Sequence, residues 1–203
     1  MDLVAVCCSL TPSLGDTQID CTTATGNNAQ AAITGGMKIN VTEKSHDMTR
    51  DQMILHIRAA NEVAKEWKSF GHHPFGAVLV APDNQRILMR QGNINVMRHA
   101  ETELPRRASE AFSPEYLSKC TLVTTMEPCA MCAGNIYFAN IGKVVYGASE
   151  ETLRKLTGTS QMNPTLNLPC KKVFDSGQKP IQVYGPFPEL EAELIEPHKG
   201  FWN

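Results

Sequence analysis

The chain of 203 residues lacks any apolar run that approaches the roughly 20 residues of a membrane-spanning helix. Residues 1–37 contain neither lysine nor arginine, so the basic segment of a secretory signal or an organelle transit peptide is missing. The net charge is only −2, which gives a polyanion little to bind and argues against a nucleic-acid partner. We therefore expect a cytoplasmic protein that contacts neither a membrane nor nucleic acid.

Cysteine usage points to the same compartment. Two of the seven cysteines form the pair Cys129-x-x-Cys132, which leaves five others. An odd remainder does not suit a disulfide framework, and a pair of metal-binding thiolates needs a reducing environment. Both observations favour the cytoplasm.

The composition changes near residue 48. Residues 1–47 are rich in small and polar side chains and carry no sustained periodicity, so we predict a flexible N-terminal extension with a short strand at 37–41. Hydrophobic periodicity begins at Thr49 and continues to the end of the chain. Residues 48–203 are therefore predicted to form one domain.

Strands alternate with helices through this domain. Strands are predicted at 75–80, 86–90, 121–125, 143–146 and 181–184, and helices at 49–70, 98–110, 128–140, 150–156 and 189–196. Thr49 or Asp51 is the expected N-cap of the first helix, and Pro128 is expected in the first turn of the third. Pro105 should kink the second helix or end it early. The alternation predicts a three-layer α/β/α sandwich around a central mixed sheet.

Two short motifs carry the chemistry, His99-Ala100-Glu101 and Pro128-Cys129-Ala130-Met131-Cys132. The imidazole of His99 and the thiolates of Cys129 and Cys132 supply three ligands of a tetrahedral zinc site and leave the fourth position for water. Because these residues lie where helices begin, the helix macrodipoles are expected to lower the pKa of both thiols. Glu101 is not needed as a ligand and is therefore free to move protons.

Three simpler interpretations of the motifs are less favoured. A structural zinc site prefers four protein ligands, but neither His72, His73 nor the scattered cysteines stand at a motif spacing from the pair. A thioredoxin-like redox pair would explain Cys129-x-x-Cys132 alone and leaves His99-x-Glu101 without a role. A zinc scaffold without activity would not need Glu101.

Together with the segments 73–80, 127–139 and 144–147, these motifs resemble the zinc-dependent cytidine/deoxycytidylate deaminase superfamily. They are most similar to the branch that contains guanine deaminase, bacterial-type tRNA adenosine deaminase and fungal cytosine deaminase. The resemblance covers roughly residues 50–150. It implies a five-stranded sheet, a homodimer and one Zn²⁺ per chain held by His99, Cys129 and Cys132.

The resemblance also implies a reaction. Zinc-activated water would attack the amino-bearing ring carbon, and Glu101 would pass protons until the amine leaves as ammonia. The implied enzyme is a hydrolase acting on C–N bonds of cyclic amidines, whose substrate is a nucleobase or a nucleoside. We favour guanine as the substrate on segments 73–78 and 136–139. Alternatives are a tRNA adenosine deaminase and a deaminase of cytosine or another aminated heterocycle.

Several residues are candidates for substrate contacts. By family analogy Phe75 and Gly76 would line the base pocket, and the backbone at Ala100 would meet the substrate. The family's base-binding Asn corresponds to either Asn93 or Asn95, and Asn93 is preferred because it follows the hairpin strand. Further candidates are Phe138 and Trp202. Arg98 would either bind an acidic substrate group or form a surface ion pair.

Two segments of the C-terminal part have open roles. The aromatic tail with Phe201 and Trp202 is expected either to close over the active site or to anchor the last helix to the core. The loop at 163–170 is expected to border the pocket.

Overall fold

The computed structural model describes residues 47–158, 160 and 163–202. The predicted N-terminal extension and its short strand thus lie almost wholly outside the described residues. Within them the chain forms five strands: β1 Gly76–Val80, β2 Ile87–Gly92, β3 Thr121–Met126, β4 Lys143–Ala148 and β5 Gln182–Tyr184. The helices are α1 Arg50–Ser69, α2 Ala100–Ala111, α3 Pro114–Leu117, α4 Ala130–Phe138, α5 Glu150–Thr157, α6 Cys170–Asp175 and α7 Glu191–Ile195.

The five strands form one mixed sheet in the order β2-β1-β3-β4-β5. β1 pairs antiparallel with β2 and β3, whereas β4 runs parallel to β3, and β5 runs parallel to β4. The crossover from β3 to the parallel β4 passes through α4, as a parallel connection requires. The predicted five-stranded mixed sheet is confirmed.

Helices cover both faces of the sheet. α1 packs across β1 and β3 on one face, where it is joined by α7 near β4, and α2, α4 and α6 pack side by side on the other. The strands β1 and β3 are buried along their whole length because helices lie above and below them. This is the predicted three-layer sandwich.

Local sequence explains how α1 starts. The hydroxyl of Thr49 accepts a hydrogen bond from the backbone N–H of Gln52, and the Gln52 side chain accepts one from the N–H of Thr49. This reciprocal capping box satisfies two amides that a helix start leaves without partners. Thr49, one of the two predicted N-caps, is therefore the one used.

Three local predictions differ from the structure. α4 begins at Ala130 with Cys129 as its N-cap, so Pro128 precedes the helix and does not open it. α2 continues through Pro105 to Ala111, so the proline does not end it early. The short helices α3 and α6 were not predicted, and α6 occupies the part of the chain directly after the predicted loop.

Among the described residues, no helix has the length and apolar character needed to cross a bilayer.

Candidate active site

Three metal-ligand side chains converge where α2 and α4 begin. His99 is the N-cap of α2, Cys129 is the N-cap of α4, and Cys132 lies in the first turn of α4. Nδ1 of His99 lies 3.8 Å from Sγ of Cys129 and 3.5 Å from Sγ of Cys132. The two sulfur atoms are 3.6 Å apart.

These distances suit a tetrahedral zinc ion. Zinc–sulfur bonds of about 2.3 Å and zinc–nitrogen bonds of about 2.0–2.1 Å, at tetrahedral angles, place two sulfurs about 3.8 Å apart and a nitrogen and a sulfur about 3.6 Å apart. The ligand atoms of His99, Cys129 and Cys132 already stand at that spacing. The donor set therefore fits zinc, with the fourth position left for a water or a substrate atom.

Neighbouring groups orient two of the ligands. The backbone of Val96 interacts with the His99 ring and raises its pKa, while Nδ1 of the ring faces the two sulfurs. The hydroxyl of Thr102 lies 3.3 Å from Sγ of Cys132. Such contacts fix the ring and one thiol in place before a metal binds.

The two thiols differ in acidity. A hydrogen bond from the Cys132 thiol, with help from His99, lowers the pKa of Cys129 to about 4. The same contact and burial raise the pKa of Cys132 well above its ordinary value. The lowered pKa expected of the thiols is found at Cys129, where the neighbouring thiol is the main cause. A bound divalent cation would supply the positive charge that favours the thiolate form of both cysteines.

Glu101 lies beside the ligands as a carboxyl of its own. It is 4 % exposed, and its Oε1 accepts a hydrogen bond of 2.8 Å from the Thr124 hydroxyl. Its Oε2 is 3.9 Å from Sγ of Cys132. Burial raises the pKa of Glu101, which brings the carboxyl closer to the range in which it can both take up and release a proton at neutral pH.

The cluster opens into a cavity of about 170 Å³. Its apolar lining comes mainly from Phe75, Val96, Met126, Met131, Leu153 and Leu166. Its polar lining consists of His99, Glu101, Glu127, Cys129, Glu150, Asn163 and Thr165. The cavity therefore combines an apolar wall with a few charged and amide groups, which is the usual construction of a small-molecule site.

Other proposed substrate contacts lie behind the cavity wall. Asn93 is fully buried, and its side-chain amide donates to the carbonyl of Asn95 at 3.1 Å, while its Oδ1 has no partner among the described residues. Ala100 is buried at the start of α2. Gly76 faces α1, where an added Cβ would lie 2.1 Å from the Ala60 carbonyl oxygen. None of these three side-chain positions is part of the lining.

The two aromatic candidates lie further away. Phe138 is 83 % exposed at the end of α4 and does not line the cavity. Trp202 packs 5.9 Å from the ring of Phe75 and stacks on His198, with ring centroids 5.8 Å apart. The tail thus packs behind Phe75 in its own chain, as the anchoring interpretation expected, and Phe75 itself lines the cavity.

Among the lining residues that were not predicted as site residues are Glu127, Glu150 and Asn163. Oε2 of Glu127 accepts from the Glu150 N–H at 3.2 Å, and its Oε1 accepts from the Cys170 N–H at 2.9 Å. Its position directly before Pro128 was the signal available for Glu127. Asn163 falls in the loop that the sequence expected to border the pocket.

Glu150 carries the second unusual carboxyl of the site. It is 7 % exposed, and burial followed by the nearby Cys129, Glu101 and Glu127 raises the pKa of Glu150 to about 7. Its side chain makes no hydrogen bond to the described residues, in contrast to Glu127 and Glu101. The cavity therefore holds one carboxyl without a protein partner.

Comparison with known proteins decides the family. Residues 50–148 match the cytidine and deoxycytidylate deaminase zinc-binding region. The chain is also 37 % identical over 154 residues to a probable cytosine deaminase of Schizosaccharomyces pombe, covering 74 % of this chain and 92 % of the relative. The chain belongs to the cytidine and deoxycytidylate deaminase family. It is a hydrolase of the class that acts on C–N bonds in cyclic amidines.

Other members of the family differ in what they act on. This deaminase is 37 % identical over 106 residues to a tRNA-specific adenosine deaminase of Bacillus subtilis, which covers 50 % of this chain and 63 % of the relative. A solved structure from work on A-to-I editing by tRNA:A34 deaminases superposes with a TM-score of 0.52 at 28 % identity. That match covers 71 % of this chain and 99 % of the other.

Proposed function

We propose that this deaminase acts on a free nucleobase, with cytosine as the first candidate and guanine as the second. The observation that carries the proposal is the cavity of about 170 Å³, into which Glu101 and the zinc-fitting cluster open. Drug-sized ligands occupy pockets of about 300–1,000 Å³, so this cavity suits a single base better than a base with its sugar. Similarity along 92 % of a probable cytosine deaminase supports cytosine ahead of guanine.

Each site residue has a role in this proposal. His99, Cys129 and Cys132 would hold one Zn²⁺, which when bound supplies an activated water and a positive charge for the developing oxyanion. Glu101 would take one proton from that water and deliver it to the ring nitrogen, and would then take the second proton from the added hydroxyl and deliver it to the leaving amine, so that ammonia departs. Phe75 would pack against the ring, because it is the aromatic side chain that lines the cavity.

An RNA substrate is the second candidate, because this chain resembles tRNA deaminases. It would need unpaired basic side chains around the cavity to contact phosphates. Arg98 and Arg106 both bind the buried carboxylate of Glu103, at 2.8 and 3.2 Å, and Arg107 donates to Gln91. These arginines near α2 are thus engaged within the chain, which favours a small substrate and supports the ion-pair interpretation of Arg98.

A homodimer and a cytoplasmic location belong to the same proposal. Phe138 and Met97 are 83 % and 65 % exposed, and large apolar side chains of that exposure are suited to an interface between copies. The four cysteines within the described residues are free, which suits a reducing compartment. Light scattering of the purified protein checks the dimer, since a mass near 22.3 kDa would rule it out.

Ammonia release tests the activity directly. The metal-quantified protein is offered cytosine, guanine, adenine, their nucleosides and an unmodified tRNA, beside Glu101→Gln. We expect turnover of one free base, reduced by about 10³-fold or more in the variant, because general acid–base catalysis supplies about 10²–10⁴-fold. Zinc content should stay the same in both proteins.

Two outcomes would overturn the proposal. Inosine formation in the tRNA without turnover of any free base would show that the substrate is RNA. Equal turnover by Glu101→Gln would remove Glu101 from the proton transfers.

A further inference from the structure

Glu127 lines the cavity, yet each of its carboxylate oxygens already has a partner in the protein. Oε2 accepts a hydrogen bond of 3.2 Å from the backbone N–H of Glu150, and Oε1 accepts one of 2.9 Å from the backbone N–H of Cys170. Glu127 is 7 % exposed. Because a buried carboxylate is costly unless its oxygens are paired, these two contacts account for its place in the wall without a substrate.

The two amides lie at the ends of one segment of the chain. Glu150 is the first residue of α5, and Cys170 is the first residue of α6. The first amides of a helix have no acceptor within that helix, so each needs one from elsewhere. Glu127 supplies both acceptors and thereby attaches the two ends of segment 150–170 to a single side chain.

Segment 150–170 forms part of the cavity wall. Residues 163–169 are neither helix nor strand, so no regular backbone hydrogen bonding holds them in place. The shape of this wall therefore depends on how the ends of the segment are held. The lining residues from the segment, besides Glu150, are Leu153, Asn163, Pro164, Thr165 and Leu166.

Glu127 itself belongs to the sheet and to the strand that leads into the candidate metal site. It directly follows β3, and its backbone N–H donates a hydrogen bond of 2.8 Å to the carbonyl of Ala148 at the end of β4. Cys129, one of the metal-ligand residues, comes two residues later. Glu127 therefore connects the wall of the cavity to the part of the chain that carries the reacting groups.

We infer that Glu127 is a positioning residue for the substrate: by holding both ends of segment 150–170, it sets the distance between the cavity wall and the candidate metal site. The inference rests on the proposed function and deepens it, because it names the side chain that holds the substrate cavity in shape. In this role Glu127 needs no contact with the base. Loss of its contacts should therefore weaken substrate binding more than the chemical step.

Glu127→Gln tests this role with minimal change of shape. Glutamine has one carbonyl oxygen and one N–H₂ group, so one of the two backbone amides would face a donor in place of an acceptor. We expect KM for the preferred base to rise by about tenfold while kcat stays within about threefold, because a loss of uniform binding appears in KM. Zinc content should match that of the unmodified enzyme.

Amide hydrogen exchange, followed by NMR on the zinc-loaded protein, tests the anchoring itself. In the unmodified enzyme the amides of Glu150 and Cys170 should exchange at least about 100-fold more slowly than in an unfolded chain, although both begin helices. In Glu127→Gln at least one of them should exchange about tenfold faster, whereas the amide of Val123 in β3 should not change. A general weakening of the fold would accelerate exchange at Val123 as well.

Glu151→Gln is the matched control, because it makes the same substitution in the same segment. Glu151 is exposed, and its carboxylate pairs with Lys155 at 3.0 Å. The control should leave KM and the exchange of the Cys170 amide within about twofold of the unmodified enzyme. If Glu127→Gln does not fold, exchange in the unmodified enzyme still decides: rapid exchange of both amides overturns the inference.

The outcomes separate the two proposals. An enzyme that is active on a base, and whose KM rises no more in Glu127→Gln than in Glu151→Gln, overturns this inference alone. A faster exchange that extends to Val123 overturns it as well, because Glu127 would then act on the whole fold. An enzyme with bound zinc that deaminates no base overturns the proposed function, and the assignment of Glu127 to substrate positioning falls with it.

Discussion

Thr124 shares one hydroxyl proton between two acceptors next to the reacting groups. Its Oγ1 lies 2.8 Å from Oε1 of Glu101 and 3.2 Å from the carbonyl oxygen of Gly76. The shorter contact orients a buried carboxyl that has few other partners. Removing it should let Glu101 adopt several rotamers, of which only some reach both the water and the ring.

Thr124→Val is therefore expected to lower kcat by about tenfold with little change in KM, because orientation of a catalytic group acts on the chemical step. Steady-state kinetics at pH 7.5 measure both constants. Thr125→Val, one residue along the same buried strand, is the matched control. Equal kcat values for the two variants would show that the hydroxyl of Thr124 has no special role.

The metal ligands could be predicted from sequence, whereas the cavity-lining residues Glu150 and Asn163 could not. Cys129 and Cys132 stand one helical turn apart, so their proximity follows from local geometry alone. Asn163 lines the cavity although it follows Cys132 by more than 30 residues in the sequence. No pattern in its loop indicates which side chain faces the cavity. Asn93, which local position favoured, is buried and donates its side-chain amide to the carbonyl of Asn95.

Gly76 shows how closely α1 and β1 approach each other. An added Cβ would lie 2.1 Å from the Ala60 carbonyl oxygen and 2.7 Å from the Ala64 nitrogen, and both are backbone atoms that cannot rotate away. Strand alternation places Phe75 on the cavity side and Gly76 on the helix side. A role in packing therefore explains this glycine.

Gly76→Ala is expected to destabilise the fold by about 2–3 kcal/mol, because overpacking must push α1 from the sheet. Gly134→Ala is the matched control: nothing lies within 4 Å of its added Cβ, and the substitution removes a glycine from the interior of α4. It should stabilise the fold by up to about 1 kcal/mol. Urea unfolding measures the stability of both variants. An unchanged unfolding midpoint together with a raised KM for Gly76→Ala would instead support the predicted contact between Gly76 and the substrate.

Helix boundaries were predicted less well than helix positions. α4 starts two residues after the predicted Pro128 because Cys129 takes the N-cap position with an extended backbone. α3 and α6 span four and six residues, and helices that short depend on tertiary contacts more than on their own sequence.

The C-terminal tail completes a cluster of aromatic side chains that packs against Phe75 next to the cavity. His198 is 2 % exposed, Trp202 donates to its Nδ1 at 3.3 Å, and its Nε2 has no partner among the described residues. Burial, followed by the charges of Lys68 and His73, lowers the pKa of His198 to about 3. His198 is thus neutral in the folded protein at every pH above about 4.

His198 should make the fold sensitive to acid. Its pKa rises to about 6.5 on unfolding, so between pH 6.5 and 3 the unfolded chain binds the extra proton and stability falls by up to about 1.4 kcal/mol per pH unit. Above pH 6.5 this loss is absent. His198→Phe should flatten the dependence, as measured by urea unfolding at pH 7.5, 6.0 and 5.0.

The unmodified protein and the variant share the acid-driven loss of metal, so the difference between their slopes isolates His198. Parallel slopes would show that His198 titrates normally in the folded protein. A residual slope in the variant is expected from His73, whose pKa burial also lowers.

The sequence predicted the number of strands and the layering of the fold, but it did not predict the order of the strands in the sheet. Alternation of strands and helices implies a sandwich, but it leaves open that β1 pairs with both β2 and β3. That pairing sets the end of β3 beside the start of α2 and so brings Glu101 to Thr124.

Glu127 joins the end of β3 to two later segments, through the backbone amides of Glu150 and Cys170. The proposed catalytic residues lie at α2 and α4, whereas the segment between those two amides contributes Leu153, Asn163 and Leu166 to the cavity lining. A lineage can therefore exchange the residues between 151 and 169 while keeping both anchor points and the reaction. The same catalytic residues can therefore act on different bases when only this segment changes. Such exchange would produce relatives that share the zinc motifs but deaminate different bases.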